Sequence, residues 1–131
     1  MDTKRDIETR ADIQQAVELF YEKVKADEHL GIIFNEIVNM HWDTHIPLIV
    51  DFWETIVLDN PVYQKNAMEK HFHLNQIYPL KKLHFDAWLK HFHEAFDACF
   101  EGPKTTLAKK RADSIAAIMQ FKMEERTNAQ K

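Results

Sequence analysis

Phe85-Asp86-Ala87-Trp88-Leu89-Lys90-His91-Phe92-His93-Glu94-Ala95-Phe96-Asp97-Ala98-Cys99 is the stretch on which the fold class turns. Its members Phe85, Trp88, Leu89, Phe92, Phe96 and Cys99 recur at steps of three and four, so they line one side of a helix, and Gly102-Pro103 ends it. The same periodicity recurs toward the N-terminus. A first helix is expected to start at Asp12, where Asp12 and Gln15 have capping-box spacing, and to end near Asp27. Ile13, Val17, Phe20, Tyr21 and Val24 form its apolar stripe. A short turn over 30–34 is broken by Gly31. A second helix over 45–58 carries Ile49, Phe52, Trp53 and Ile56, with Asp59-Asn60-Pro61 as its stop. Pro47 is tolerated without a kink only in a first turn, which favours a start at Asp43; a start near Asn39 with a bend at Pro47 stays open.

Residues 60–81 are weakly periodic and hold the turn signals Asn75 and Pro79, leaving room for a short helix from 66 to 71 or 73. A last helix over 105–123 is expected to pack Leu107, Ile115, Ile118 and Met119, with the polar tail from Glu124 fraying. No alternating strand, hairpin turn, repeat or linker is found. The expectation is one all-α domain over residues 1–131, its core spanning 12–123.

Composition narrows the function classes. The chain has 131 residues, 45% of them hydrophobic and nine of them Phe, enough for one core and for an apolar cavity within it. A net charge of −4 leaves no basic footprint for nucleic acid. No apolar run approaches the roughly 20 residues that span a bilayer, and the N-terminus lacks the apolar stretch of a signal peptide. Cys99 is alone, which rules out an intrachain disulfide and suits the reducing cytoplasm. Gly31 and Gly102 are the two glycines and stand far apart, so neither a dinucleotide fingerprint nor a phosphate-cradling loop can be written with them.

Eight histidines invite a metal. His41 and His45 are four apart, as are His93 and Asp97, while His84 and His91 bracket Trp88. A di-iron bundle would want paired Glu-x-x-His units on facing helices, and none occurs. In Met68-Glu69-Lys70-His71-Phe72-His73-Leu74, His71 and His73 lie about 200° apart around a helix and cannot both face one centre. Leu74 shares the face of His71, which makes His71 the better ligand candidate and His73 the exposed one. Tyr21 and Trp88 would each need a hydrogen-bond partner if buried, and read singly each is an ordinary core residue. Facing one cavity, the two donors would suit a polar bound gas. A histidine ligand opposite such donors is what a helical protein needs to hold a haem.

In order and spacing these residues resemble the group III (P-type) truncated haemoglobins, over most of the chain from Ile13 to Met119. Phe20-Tyr21 matches that family's distal pair, and Gly31-Ile32-Ile33-Phe34 its short turn with a haem-facing aromatic. His45, seven residues before Phe52-Trp53, matches the distal histidine and its Phe-Trp pair; His71 with Leu74 matches the proximal segment, and Trp88-Leu89 the distal tryptophan. Groups I and II carry Gly-Gly motifs that are absent here, as they are in group III. The departures are extra histidines, chiefly His41 and His73.

The resemblance implies a shortened globin, two helices over two, around a non-covalent b-type haem. It implies His71 as iron ligand and Phe34, Ile49, Phe52, Trp53 and Leu74 as cofactor contacts. Tyr21, His45 and Trp88 would meet O2, NO or CO on the distal side. Redox chemistry with nitric oxide or peroxide would need a separate reductase or small-molecule reductant, because a single filled core without a dinucleotide motif cannot supply its own. The rivals are a non-haem, di-iron type histidine-rich oxygen or metal binder and a metal-free interaction module.

Overall fold

Thr9 decides where the first helix begins. The computed structural model of the chain describes residues 4–33, 42–63 and 80–129. Its helices are α1 (Arg10–Ala26), α2 (Leu30–Ile32), α3 (Trp42–Val57), α4 (Lys82–Cys99) and α5 (Pro103–Ala129). The first N–H groups of a helix have no acceptor within it. In α1 the Thr9 hydroxyl accepts from Asp12 N–H, and Asp12 Oδ2 accepts in return from Thr9 N–H at 3.1 Å and Glu8 N–H at 2.9 Å. The expected start at Asp12 is therefore corrected: Thr9 is the cap and Asp12 the third helical residue. Arg5 grips the same carboxylate with both terminal nitrogens, at 2.8 and 2.6 Å, which satisfies a side chain that is nearly buried.

A second cap reaches across the chain. Asp6 Oδ1 accepts from the backbone N–H and hydroxyl of Thr105 at 2.9 and 2.8 Å, and Oδ2 accepts from Lys104 N–H at 2.8 Å. These are first-turn groups of α5, so its N-terminus is closed by a residue from the opposite end of the sequence. Gly102 permits the approach. Its φ is +147°, and a Cβ there would lie 2.6 Å from Asp6 Cβ and Cγ.

The core follows the expected stripes on α1 and α4. Ile13, Val17, Phe20, Tyr21 and Val24 are all buried. On α4, Phe85, Phe92 and Phe96 are buried while Trp88, Leu89 and Cys99 are half-buried. Phe92 stacks on Phe96 with centroids 4.2 Å apart and tilts against Trp53 at 4.7 Å. Helix α1 packs on both α3 and α4, and α4 packs on α5, so the α1–α3 pair lies over the α4–α5 pair.

Helix α5 departs from expectation on its buried face. Thr105, Ala108, Ala112, Ala116 and Met119 turn inward, Leu107 and Ile115 are half-buried, and Ile118 is 52% exposed. Small residues at steps of three and four let this helix approach the core closely, and such a face carries no stripe of large apolar side chains to mark it in the sequence. The helix also starts earlier and runs further than 105–123. Pro103 suits its first turn, and its backbone is helical to Ala129, past the point where fraying is expected.

Helix α3 contains Pro47, and the Pro47 carbonyl receives Arg10 Nη2 at 3.5 Å. Arg10 Nη1 also donates to Asp51 at 2.5 Å and to the buried Glu54 at 2.9 Å, and Asn60 Nδ2 donates to the other Glu54 oxygen. The stop at Asp59-Asn60-Pro61 is as expected: Asp59 adopts φ 56°, just past the last helical hydrogen bond, Leu58 N–H to Glu54 O. The short helix expected within 66–73 lies outside the described residues.

Candidate functional site

Helix α3 carries two neighbouring apolar stripes with different fates. Val50, Trp53 and Val57 are buried in the core, whereas His45, Ile49, Phe52 and Ile56, spaced four, three and four, are half-buried. Phe52 and Trp53 meet edge to face at 5.2 Å, yet their roles divide. Trp53 is 2% exposed and packs against the stacked Phe92 and Phe96, so its described surroundings are core. Phe52 stands on the half-covered stripe and meets the ring of Tyr63 at 5.2 Å. Tyr63 is held there by its N–H to Thr55 Oγ1 at 3.0 Å. The weak periodicity of residues 60–81 gave no signal for it.

Three helices converge beside this stripe. Tyr21 from α1 is buried, and burial pushes its phenol well above the ordinary value, so it stays protonated and able to donate. Its ring meets that of His45 from α3 edge-on, with centroids 5.5 Å apart and planes at 80°. Phe20 touches Tyr21 at 4.7 Å and the edge of Trp88 from α4 at 5.6 Å, and thereby sets the spacing between the two candidate donors. Trp88 also stacks on Phe92 at 5.5 Å, and Phe92 meets Phe20 edge-on at 5.4 Å, so the three rings form one cluster. A groove between α1 and α3, lined by Gln15, Leu19, Ile46 and Pro47 among others, reaches Tyr21. Of the residues singled out by sequence, Tyr21, His45, Ile49, Phe52 and Trp88 thus share one region. Phe34, His71 and Leu74, with the extra histidines His41 and His73, lie outside the described residues.

Three other histidines have structural partners. His84 Nδ1 accepts the N–H of Lys81 at 2.9 Å and so helps cap α4, and burial holds its imidazole below the ordinary value. His91 Nε2 meets Asp27 Oδ2 at 2.6 Å, and His93 Nε2 meets Asp113 Oδ1 at 2.7 Å. The spacing of His93 and Asp97 therefore does not make a pair: Asp97 binds Lys109 instead, at 2.8 Å. Among the described residues no three His, Cys, Asp or Glu side chains are grouped to hold a metal ion.

Comparison with known proteins decides what this arrangement belongs to. The model of the bacterial-like globin family matches residues 6–125. The group 3 truncated haemoglobin ctb of Campylobacter jejuni is 32% identical over 111 residues, covering 82% of this chain and 85% of that protein. The crystal structure of group III truncated haemoglobin from Campylobacter jejuni superposes with a TM-score of 0.81 at 29% identity, covering 92% of this chain and 95% of that one.

The chain is a group III truncated haemoglobin of the bacterial-like globin family. Membership gives the all-α truncated globin fold and implies a haem cofactor and the binding of diatomic ligands, in place of a non-haem metal or a metal-free module. The described residues fit that group on one side. The half-buried stripe of α3 offers apolar surface to a flat ring, and Tyr21 offers a protonated donor beside it. No described helix of this truncated haemoglobin is long and apolar enough to cross a membrane.

Proposed function

We propose that this truncated haemoglobin holds a non-covalent b-type haem through His71 and binds O2, NO or CO on the side of Tyr21, His45 and Trp88. The contact between Tyr21 and His45 beside the half-buried stripe of α3 carries the proposal. A phenol is neutral at physiological pH and burial shifts it further that way, so it donates in a hydrogen bond without releasing its proton, which suits a polar gas ligand. Trp88 is a second donor, since an indole N–H can only donate. His45 lines the distal side and gates it. Ile49 and Phe52 contact the ring together with Phe34 and Leu74, and Trp53 backs Phe52 from the core.

The haem, when bound, supplies an iron that takes diatomic gases and supports redox chemistry with nitric oxide or peroxide. A distal side rich in donors retains O2, which suits such reactions better than delivery. Turnover then draws electrons from a separate reductase or small-molecule reductant, because Gly31 and Gly102 cannot form a dinucleotide site. The lone Cys99 supports a cytoplasmic setting, and cannot form the C-x-x-C-H motif of covalent haem attachment. Absorption spectra of the purified protein in ferric, ferrous and CO-bound forms test the proposal. An intense Soret band that shifts on reduction and on adding CO is expected. A chain that stays colourless after incubation with haem would overturn it.

A further inference from the structure

We infer that Asp27 and His91 form a positioning pair that sets how Tyr21 and Trp88 stand relative to each other. Asp27 does three jobs at the corner that follows α1. Its N–H bonds to Val24 O and closes α1; its Oδ1 accepts from the N–H groups of His29 and Leu30 at 2.7 and 2.9 Å and starts α2; its Oδ2 meets His91 Nε2 of α4 at 2.6 Å. Both side chains of the pair are about one-seventh exposed, at 15% and 14%, so the bond is shielded from competing water. His91 Nδ1 is buried with no hydrogen-bond partner among the described residues, so Asp27 is the polar anchor of this ring. Burial works against the Asp27 charge, but hydrogen bonds from His91, Leu30 and His29 outweigh it and bring the carboxyl down to about 2.

The consequence lies in register. Trp88 is three residues before His91 and shares its side of α4, while Tyr21 stands on α1 six residues before Asp27. Phe20 separates the two candidate donors by packing, which sets a distance. Lys23 of α1 and Glu94 of α4 form an ion pair at 3.6 Å, but it lies at the surface and adds little directional restraint along the helix axes. The directional bond between Asp27 and His91 supplies that restraint across 64 residues of sequence. Neither residue touches a bound gas on this account. They act through the helices that carry the donors, and the inference rests on the haem proposal above.

His91→Leu removes the bond at similar volume, and His91→Gln keeps an N–H able to reach Asp27. The test uses haem-loaded protein. His91→Leu should speed O2 dissociation about five-fold, the effect of weakening one hydrogen bond, with CO dissociation changed less than about two-fold. His91→Gln should return both rates close to those of the parent. With 5-fluorotryptophan incorporated, the 19F resonance of Trp88, assigned by its loss in Trp88→Phe, should move in the CO form of His91→Leu and return in His91→Gln. An unchanged O2-to-CO ratio together with an unmoved Trp88 resonance would overturn the pair. Should His91→Leu not fold, His91→Phe, which keeps a ring of similar shape and has no group to meet Asp27, is held to the same two readouts. A parent chain without a Soret band is a different failure, of the haem proposal itself, and takes this inference with it.

Discussion

Tyr21 and His45 meet edge to face, 5.5 Å between ring centroids and 80° between planes, and join the middle of α1 to the first turns of α3. A change to either ring is therefore felt by the other, and their substitutions should not be additive.

Tyr21→Phe or Trp88→Phe should speed O2 dissociation by roughly ten-fold, since a hydrogen bond to a polar ligand contributes about 1–2 kcal/mol. CO, a poorer acceptor, should respond much less. Flash photolysis and stopped-flow mixing give both rates. Equal effects on the two gases in both variants would leave these residues a packing role alone.

His45→Leu should alter the association rates of O2 and CO while haem stays bound. The residue is half-buried, on the outer stripe of α3, two positions before Pro47. Loss of haem in this variant would mean that the two sides of the pocket have been exchanged.

At His71 and His73 the expectation is asymmetric. His71→Ala should abolish or severely weaken haem retention, and His73→Ala should leave it nearly intact. Transfer of haem to an excess of apomyoglobin, followed at the Soret band, measures both. The reverse ranking would place the iron ligand one register away.

Asp6→Ala should destabilise the protein by about 1–2 kcal/mol in urea unfolding, the loss of a helix N-cap. Gly102→Ala should cost at least as much, because a side chain there meets both an unfavourable φ and the Asp6 side chain at 2.6 Å. A Gly102→Ala protein as stable as the parent would mean that Asp6 does not cap α5 in solution.

Acid should weaken the fold in a traceable way. Hydrogen bonds from Arg5, opposed by burial and helped by the N–H groups of Glu8 and Thr9, hold the Asp12 carboxyl far below the usual carboxylate range. Asp27 is also lowered, to about 2. A carboxylate depressed in the folded state binds more protons when unfolded, so its stabilisation is full above the ordinary value near 4 and is lost as pH falls through the folded value. Unfolding free energy should therefore decline from about pH 5 downward. Asp12→Asn should be less stable at pH 7 and show a flatter decline. An Asp12→Asn curve parallel to that of the parent would exclude Asp12 as a source of the acid limb.

The sequence by itself determined that the segments of α1, α3, α4 and α5 are helical and which faces of α1 and α4 turn inward, because a period of 3.6 is a property of neighbouring residues. It also carried the order of Tyr21, His45, Phe52 and Trp88, and with it the family. The Thr9 cap is equally local, since Thr9-x-x-Asp12 is a capping box, but Asp12 and Gln15 repeat the same spacing three residues on. What only the tertiary structure decided are relations between distant residues. Asp6 caps α5 from 99 residues away, and Asp27 anchors His91 from 64. The buried face of α5 is built from alanines, whose apolar signal is weak in sequence and whose value is the close approach they permit. The apolar face of α3 divides into a core stripe and a half-covered one, a division set by which neighbours pack against it. Periodicity marks a face as apolar; only the partner helix decides whether protein or ligand covers it.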